Sequence, residues 1–370
     1  MSKPIVLRWL IAHQPAYLFV RTAKAFAKEL DKLLPGQFEV EVLMMGQYIQ
    51  KYGDIPELKI KPAETSLEKW SDEMPTKIKK QYTPSEWIDV RTKWAAFWKG
   101  LREQKFHMSQ TQITVIGGHL DRRFRLLDLP FLFKDHDHVT KSLDGSIGQK
   151  LLDTLHLGEW ASKTHKKDGR DTSGVRGLGF TYSGGYRIIG SDHPITSLDD
   201  LKGLDLVTTP ATDQLFCDIG AKAKPRINQK IQEIKESASN GGAVETTYLR
   251  FSGKNILKSN HSMFLTTILI GQPLFDSLTS EQQEAFTIAS KRVAKIERKW
   301  SLEDCKKYEN TAKERGCTIV DISEEDTKRL KQSAPVQYEA TIDGDMRHIV
   351  EDIRSEFDGC ILRRTSKRVL

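Results

Sequence analysis

Apolar and polar positions follow two rhythms along this chain, and they alternate. Ile5 to Ala12 is a short apolar run that reads as a strand. After the turn "HQP", Phe19, Ala23, Phe26, Ala27, Leu30 and Leu33 recur at helical spacing within Ala16 to Leu34. "LPGQ" stops that helix, and Phe38 to Met44 alternates as a second strand. Strand, helix and strand at these separations predict a parallel pair joined by a right-handed crossover. From Gln47 to Gln104 the chain is rich in Lys, Glu and Trp. "EWIDVRTKWAAFWKGLREQ" there predicts a helix with Trp87, Val90, Trp94 and Phe97 on one buried face. "FHMSQTQITVIGG" reads as a strand with a polar tip, and "LLDLPFLFKDHDHV" as an apolar run punctured by Pro130.

Further along, Thr140 to Leu155 reads as a helix and Lys163 to Gly174 as a loop. Strands are expected at Leu178 to Tyr182 and Tyr186 to Gly190, flanking Gly184 and Gly185, then at Leu204 to Thr208. Asp213 to Lys222 reads as a helix, and His261 to Gly271 as a strand apolar on both faces. The longest element begins at "LTSEQQEAF", where Thr279 and Ser280 stand at capping-box spacing from Gln282 and Gln283. Phe286, Ala289, Val293, Ile296 and Trp300 carry the pattern on to about Arg315. At 1.5 Å per residue that helix is roughly 50 Å long, more than one small domain, so it is expected to brace two. A late strand at "GCTIVDIS" and a mostly helical tail after Glu324 complete the pattern.

Composition narrows the class. The chain has 370 residues, 38% hydrophobic and 29% charged, enough for two domains with buried cores. Its formal charge of +7 favours anionic partners. The lysines are spread out, however, and no aromatic-basic recognition motif accompanies the one dense basic patch, Arg363 to Arg368, so a nucleic-acid role is not expected. None of Cys217, Cys305, Cys317 and Cys360 forms a CxxC pair, which argues against a zinc site. No apolar run is long enough to cross a bilayer. Arg8, His13, Gln14 and Arg21 interrupt the N-terminal apolar stretch, so it does not read as a signal peptide. The expectation is either a cytosolic protein or one whose leader is not in this chain.

Catalytic sets are missing from the sequence: no GxSxG, HExxH, GxxxxGK[ST] or strand-linked GxGxxG occurs. "KDHDH", with His136 and His138, and "DRRFR", from Asp121 to Arg125, read as polar turns more readily than as a metal site or an anion grip. What remains is a series of polar strand tips, "AHQP", "MSQTQ", "YSGGYR", "VTTP" and "VETT". Ligands of open α/β sheets bind beyond the carboxyl ends of strands, so the tips predict a cleft lined by His13, Gln110, Arg187, Thr209 and Glu245.

"LLDLPFLFKDHDHV", "FTYSGGYRIIGSDHPITSLDDLKGL", "AVETTY" and "LTSEQQEAFTIASKRV", in this order and at these separations, resemble the solute-binding subunits of tripartite ATP-independent periplasmic (TRAP) transporters, of the dicarboxylate-binding type. The likeness runs from Pro4 to about Glu339, with an enlarged region from Tyr52 to Gln104. It implies a two-lobed α/β periplasmic-binding-protein-like fold with hinge strands and a long lobe-spanning helix. Lobe I would hold 1–184 and 270–300, and lobe II 185–269 and 301–370. It implies a receptor, not an enzyme, that needs no cofactor, binds a small organic carboxylate between its lobes and delivers it to membrane subunits from the periplasm.

In such proteins an arginine after a "GF" or "GY" pair meets the ligand's carboxylate. Arg187 stands at that place, with Gly184 and Gly185 letting the chain approach the ligand. Gln14, Tyr182, Thr208 and Thr246 join His13, Gln110, Thr209 and Glu245 as expected ligand neighbours. The sequence departs from the family where "DLKGLDLVTTP" puts Val207 at the place of a second, more diagnostic arginine. The competing reading is an intracellular α/β enzyme or ligand sensor on the same lobes.

Overall fold

The computed structural model describes residues 3–11, 16–53, 94–158, 173–225, 241–248 and 253–358. Trp87 and Val90 of the expected aromatic helix lie outside them, as do His13 and Gln14.

The opening rhythm folds as expected. Strand β1 (Ile5–Ile11), helix α1 (Ala16–Leu33) and strand β2 (Phe38–Met44) form a unit in which β1 and β2 pair in parallel from Ile5↔Phe38 to Ile11↔Met44. After α2 (Met45–Tyr52) and α3 (Trp94–Arg102), β3 (Met108–Gln112) adds to the free edge of β1. Helix α4 (Ile113–His119) and a 3-10 segment, Arg122–Asp128, follow directly. The apolar stretch then leads into α5 (His136–Asp144) and α6 (Ser146–Thr154). One helix was expected from Thr140 to Leu155. Gly145 divides it, adopting an extended conformation in which it ends one helix and caps the next.

Strand β4 (Val175–Tyr186) runs straight through Gly184 and Gly185, where two strands were expected to flank them. Both glycines have positive φ, 106° and 65°, and a Cβ on Gly184 would lie 2.6 Å from Thr247 Oγ1. Gly184 thus serves the close approach of the chain to Thr247, and a Cβ on Gly185 would meet Leu302 and His136, so protein atoms lie where the sequence implied a ligand. The chain leaves the first sheet at Arg187 and enters β5 (Ile188–Ser191). Strand β6 (Asp205–Thr208), helix α7 (Asp213–Asp218), and strands β7 (Lys222–Pro225), β8 (Ala243–Thr246) and β9 (Asn255–Lys258) continue the second half.

Strand β10 (Met263–Gly271) is buried along its whole length. It returns to the first sheet, antiparallel between β3 and β4, giving the order β2-β1-β3-β10-β4. Residues 263–269, placed with the second lobe on sequence grounds, are therefore hydrogen-bonded into the first sheet. The second sheet has the order β11-β9-β5-β8-β6-β7, closed at one edge by β11 (Thr318–Asp321).

After α8 (Gln272–Ser277) comes the long helix, α9 (Ser280–Glu314). Thr279 caps it through the expected box, accepting from the Gln282 N–H while the Gln282 side chain accepts from the Thr279 N–H. Its first half packs on the apolar face of the first sheet, with Phe286 meeting Phe26 and Phe38 edge-on. Its middle grips the end of β4: Ser301 Oγ accepts from Gly184 N–H at 2.9 Å, and Arg298 donates to the Phe180 carbonyl at 2.7 Å. Its last turns reach the second sheet, where Lys258 lies 3.6 Å from Glu309. One rigid element thus spans both halves. Helix α10 (Glu324–Thr341) then packs on α7, the Gln337 side-chain Oε1 accepting from the Gln214 N–H at 2.8 Å. Helix α11 (Arg347–Asp358) crosses back to α5, where His138 Nε2 lies 2.7 Å from the Ile353 carbonyl. The second histidine of "KDHDH" is thus a packing contact, and Asp135 caps α5 by accepting from the His138 N–H.

Where α9 meets the sheet it buries a carboxylate. Glu297 is fully buried; its Oε2 accepts from Tyr182 N–H at 2.8 Å, and Gln110 Nε2 lies 3.5 Å from its Oε1. Burial pushes the carboxyl up to about 8, outweighing the Tyr182 N–H and Arg298. Below about 4.5, the reference value, the folded and unfolded chains both carry this proton; between there and about 8 only the folded chain does. The contribution of Glu297 to stability therefore falls as pH rises through that window and levels off above it. Glu297→Gln keeps an acceptor for Tyr182. Denaturant titrations from pH 5 to pH 8 should show a flatter stability profile in this variant than in the wild type, and parallel profiles would exclude the neutral, buried carboxyl.

Candidate functional site

Arg187 is the single residue between β4 and β5, and its N–H donates to the Ser262 carbonyl at 2.9 Å, next to β10. It therefore sits where two chain crossings between the sheets touch. The same spacing that makes it the crossing residue turns its side chain into the interior, with only 2% of the residue exposed. Asp128, at the end of the 3-10 segment, takes the guanidinium in a fork: Nε and Nη2 lie 3.1 and 2.8 Å from Oδ1, and Nη2 lies 2.9 Å from Oδ2. Phe264 lies under the charge, 4.4 Å from ring centre to guanidinium carbon.

Glu245, from β8, completes the cluster. Its Oε1 is 3.3 Å from Arg187 Nε and 3.2 Å from His261 Nε2, and its Oε2 accepts from Thr209 N–H and Thr212 O–H, both at 2.7 Å. Ser259 Oγ lies 2.8 Å from the other nitrogen of His261. Burial raises the Asp128 carboxyl to about 6 in spite of Arg187. Glu245 is equally buried, but Arg187, His261 and Thr212 together hold it down at about 2. Glu245 is therefore the firm anion of the pair.

Beside this cluster a cleft of about 500 Å³ opens between the two halves. One wall is the end of β3 and helix α4, with Gln112, Thr114, Gly118 and His119. Next to it, Arg122 and Arg125 come from the 3-10 segment. The other wall is the turn after β6, with Thr209, Pro210 and Ala211, and the rim is the last residue of α10, Thr341, with Asp343 and Met346 of the strap that leads to α11. Arg122 and Asp343 form an ion pair from wall to strap.

Of the ligand neighbours expected from sequence, Arg187 and Thr209 line this cleft. Glu245 stands behind both. Gln110 and Tyr182 turn elsewhere. Gln110 donates to Thr181 Oγ1 at 2.8 Å and Thr266 Oγ1 at 3.1 Å, and the Tyr182 hydroxyl lies 3.2 Å from His136 Nδ1. The reason is one of depth. Strand β3 ends at Gln112, so the tip of "MSQTQ" is its second glutamine, and the first lies inside the sheet. Thr208 and Thr246 are buried in their strands, and so is Val207, only 3% exposed between β7 and β8. Trp94, assigned to helix core, does pack on Phe97 and Trp98, and it also borders the cleft. The sequence reading missed His119, Arg122, Arg125 and the strap. "GGHLDRRFR" carried the first three in plain view, but a charged turn gives no sign of which way it faces.

The chain matches the model of the bacterial extracellular solute-binding proteins, family 7, over residues 95–344. It belongs to that family. Its likeness to the 2,3-diketo-L-gulonate-binding periplasmic protein of Escherichia coli is 26% identity over 203 residues, 53% of this chain and 57% of that one. The chain spans about three fifths of the length of the curated relatives it matches. A TRAP periplasmic solute-binding protein of Ochrobactrum anthropi superimposes with a TM-score of 0.67 at 19% identity, over 96% of this chain and 97% of that one. One of Pseudomonas putida, with bound D-glucuronate, does so with 0.67 at 16% identity, over 96% and 98%. The family 7 fold, two sheets braced by one long helix, is thus the fold of this chain.

The cluster gives a direct test. Arg187→Ala strands Asp128 and Glu245 without a cation in a site that excludes water, and breaking a buried pair in this way costs about 3–5 kcal/mol. Urea denaturation at pH 7 should show a loss of that size. The double variant Arg187→Met/Asp128→Leu should lose clearly less than the two single losses combined. A single-variant loss below about 1 kcal/mol, the usual worth of a surface pair, would show that water reaches the cluster.

Proposed function

We propose that this protein is the extracytoplasmic receptor of a TRAP-type transporter. It closes two lobes on a small organic anion in the cleft between them, without chemistry and without a cofactor, and hands it to membrane subunits. The lobes follow the two sheets, with β10 in the first. The observation that carries the reading is the charge of the cleft wall. Among the residues that line it, Arg122, Arg125 and Arg187 are cationic and Asp343 is the one carboxylate; Arg122 is paired with Asp343, and Arg187 with Asp128 and Glu245 behind it, so Arg125 is the cation left in excess on the wall. Low-dielectric walls of one sign focus the field and favour an anion over a neutral solute. Family membership gives the cleft its role, and the related proteins named above point to hydroxylated carboxylates as the class. Gln112, Thr114, Thr209 and Thr341 supply the neutral donors and acceptors that hydroxyl groups need. Among the described residues no helix is long and apolar enough to cross a membrane.

D-Glucuronate, 2,3-diketo-L-gulonate and succinate, with D-glucose as the neutral control, test the class. A true ligand at 100 times its dissociation constant adds about 2.7 kcal/mol of stability, a clear rise in melting temperature. The same ligand should reduce the radius of gyration in small-angle scattering as the lobes close. Stabilisation by glucose as strong as by the acids would sink the anion reading.

Gly118 supplies a separate handle. It lines the cleft within α4, and a Cβ there meets no atom within 4 Å. Gly118→Leu should hold or raise the melting temperature of the free protein, because glycine costs a helix interior about 1 kcal/mol. By filling the cleft it should also abolish ligand stabilisation. Full binding by this variant would place the ligand elsewhere.

A further inference from the structure

We propose that the ligand's carboxylate is held by Arg125, on the wall of the first lobe, and not by Arg187. The proposal deepens the receptor reading and rests on it. Arg187 is already spent. Two of its three nitrogens are bonded to Asp128, Glu245 lies 3.3 Å away, and only 2% of the residue is exposed. A ligand carboxylate placed there would be a third anion around one cation. Arg122 is engaged with Asp343 across the rim.

Arg125 is differently placed. Its side chain is exposed into the cleft, and among the described residues its one hydrogen bond is from Nε to the Gly117 carbonyl, at 2.9 Å. Both terminal nitrogens are left without a partner among the described residues. The stem is fixed by close packing, since a Cβ on Gly117 would lie 2.6 Å from Arg125 Cγ. Held at the stem and at Nε, the planar fork presents two parallel N–H donors, the geometry that matches a carboxylate and that an ammonium lacks. Partial burial and the nearby Arg122 pull the Arg125 pKa down, against Asp343, so this cation sits in surroundings that an incoming anion would relieve. His119 is also lowered, by burial and then by Arg125, which leaves it a neutral neighbour and not a rival for the charge. The fixed guanidinium therefore selects a planar carboxylate at one end of the ligand, and the neutral polar groups of the cleft take the rest.

Arg125→Ala and Arg125→Gln test this together. The glutamine keeps the stem and a nitrogen at the place of Nε, so it retains the Gly117 contact and removes only the fork. Calorimetry with D-glucuronate, 2,3-diketo-L-gulonate and succinate should show at least one of them binding the wild type. Both variants should weaken that ligand about thirty-fold or more, while Arg125→Gln melts at the wild-type temperature. Arg125→Lys should recover less than a tenth of the lost affinity. Binding within about threefold of wild type in Arg125→Gln overturns the proposal and leaves the receptor reading standing. If none of the three acids binds the wild type, the receptor reading falls and takes this proposal with it.

Discussion

Arg187 brings a full positive charge to the point where the chain passes from one sheet to the other, and water does not follow it there. An isolated buried guanidinium would be prohibitive, so carboxylates from both halves must come to it. Asp128 arrives from the first half, where the 3-10 segment ends, and Glu245 from the middle of the second sheet. Everything nearby is arranged by that demand. Glu245 needs donors for its second oxygen, and the turn after β6 is folded so that Thr209 and Thr212 supply them. His261 needs an anchor for its ring, and Ser259 lies beside it. The two walls of the cleft are thus fixed relative to each other by one ion cluster and its hydrogen bonds. The long helix then holds the crossing from behind through Ser301 and Gly184.

This placement changes what the arginine is for. A guanidinium beside a glycine pair reads, from sequence, as a hand held out to a ligand. In the folded chain its partners are internal, and the glycines serve backbone approach: Gly184 has φ of 106° and sits against Thr247. The ionic links at the crossing are buried, whereas the Arg122–Asp343 pair on the rim is exposed and weak.

The elements were legible because they obey local rules. The parallel opening unit follows from one strand period and one helix period, and the long helix from its capping box and its apolar spacing. Sheet membership was less legible. Strand β10 is apolar on both faces, which says that it is central but not in which sheet. Only its hydrogen bonds to β3 and β4 decide that. The cleft residues were least legible, for a physical reason. A strand tip is defined to within a residue or two by pattern, yet one pleat separates Gln112, on the cleft wall, from Gln110, in a buried network with two threonines and Glu297. The rim residues Thr341 to Met346 have no motif at all; they line the cleft because α10 and α11 pack on opposite halves and the chain must pass between them.

Val207 shows how such a departure from the family pattern can be read. Its side chain is buried, and its ladder neighbours are Lys224 and Val244. A charge at that place would need an anion beside it, and the carboxylates of the cluster, Asp128 and Glu245, are already committed to Arg187. Replacing an arginine there by valine therefore removes a demand as well as a donor. The cluster keeps one cation and two carboxylates with His261, and it is satisfied by the protein alone. Positive charge on the cleft is then left to the opposite wall, where the stem of Arg125 lies on Gly117 and its fork is hydrogen-bonded to no carboxylate among the described residues. On the proposal made above, the cleft draws its anion from the wall of the first sheet, through Arg125 of "DRRFR", while the cluster at the crossing holds the scaffold.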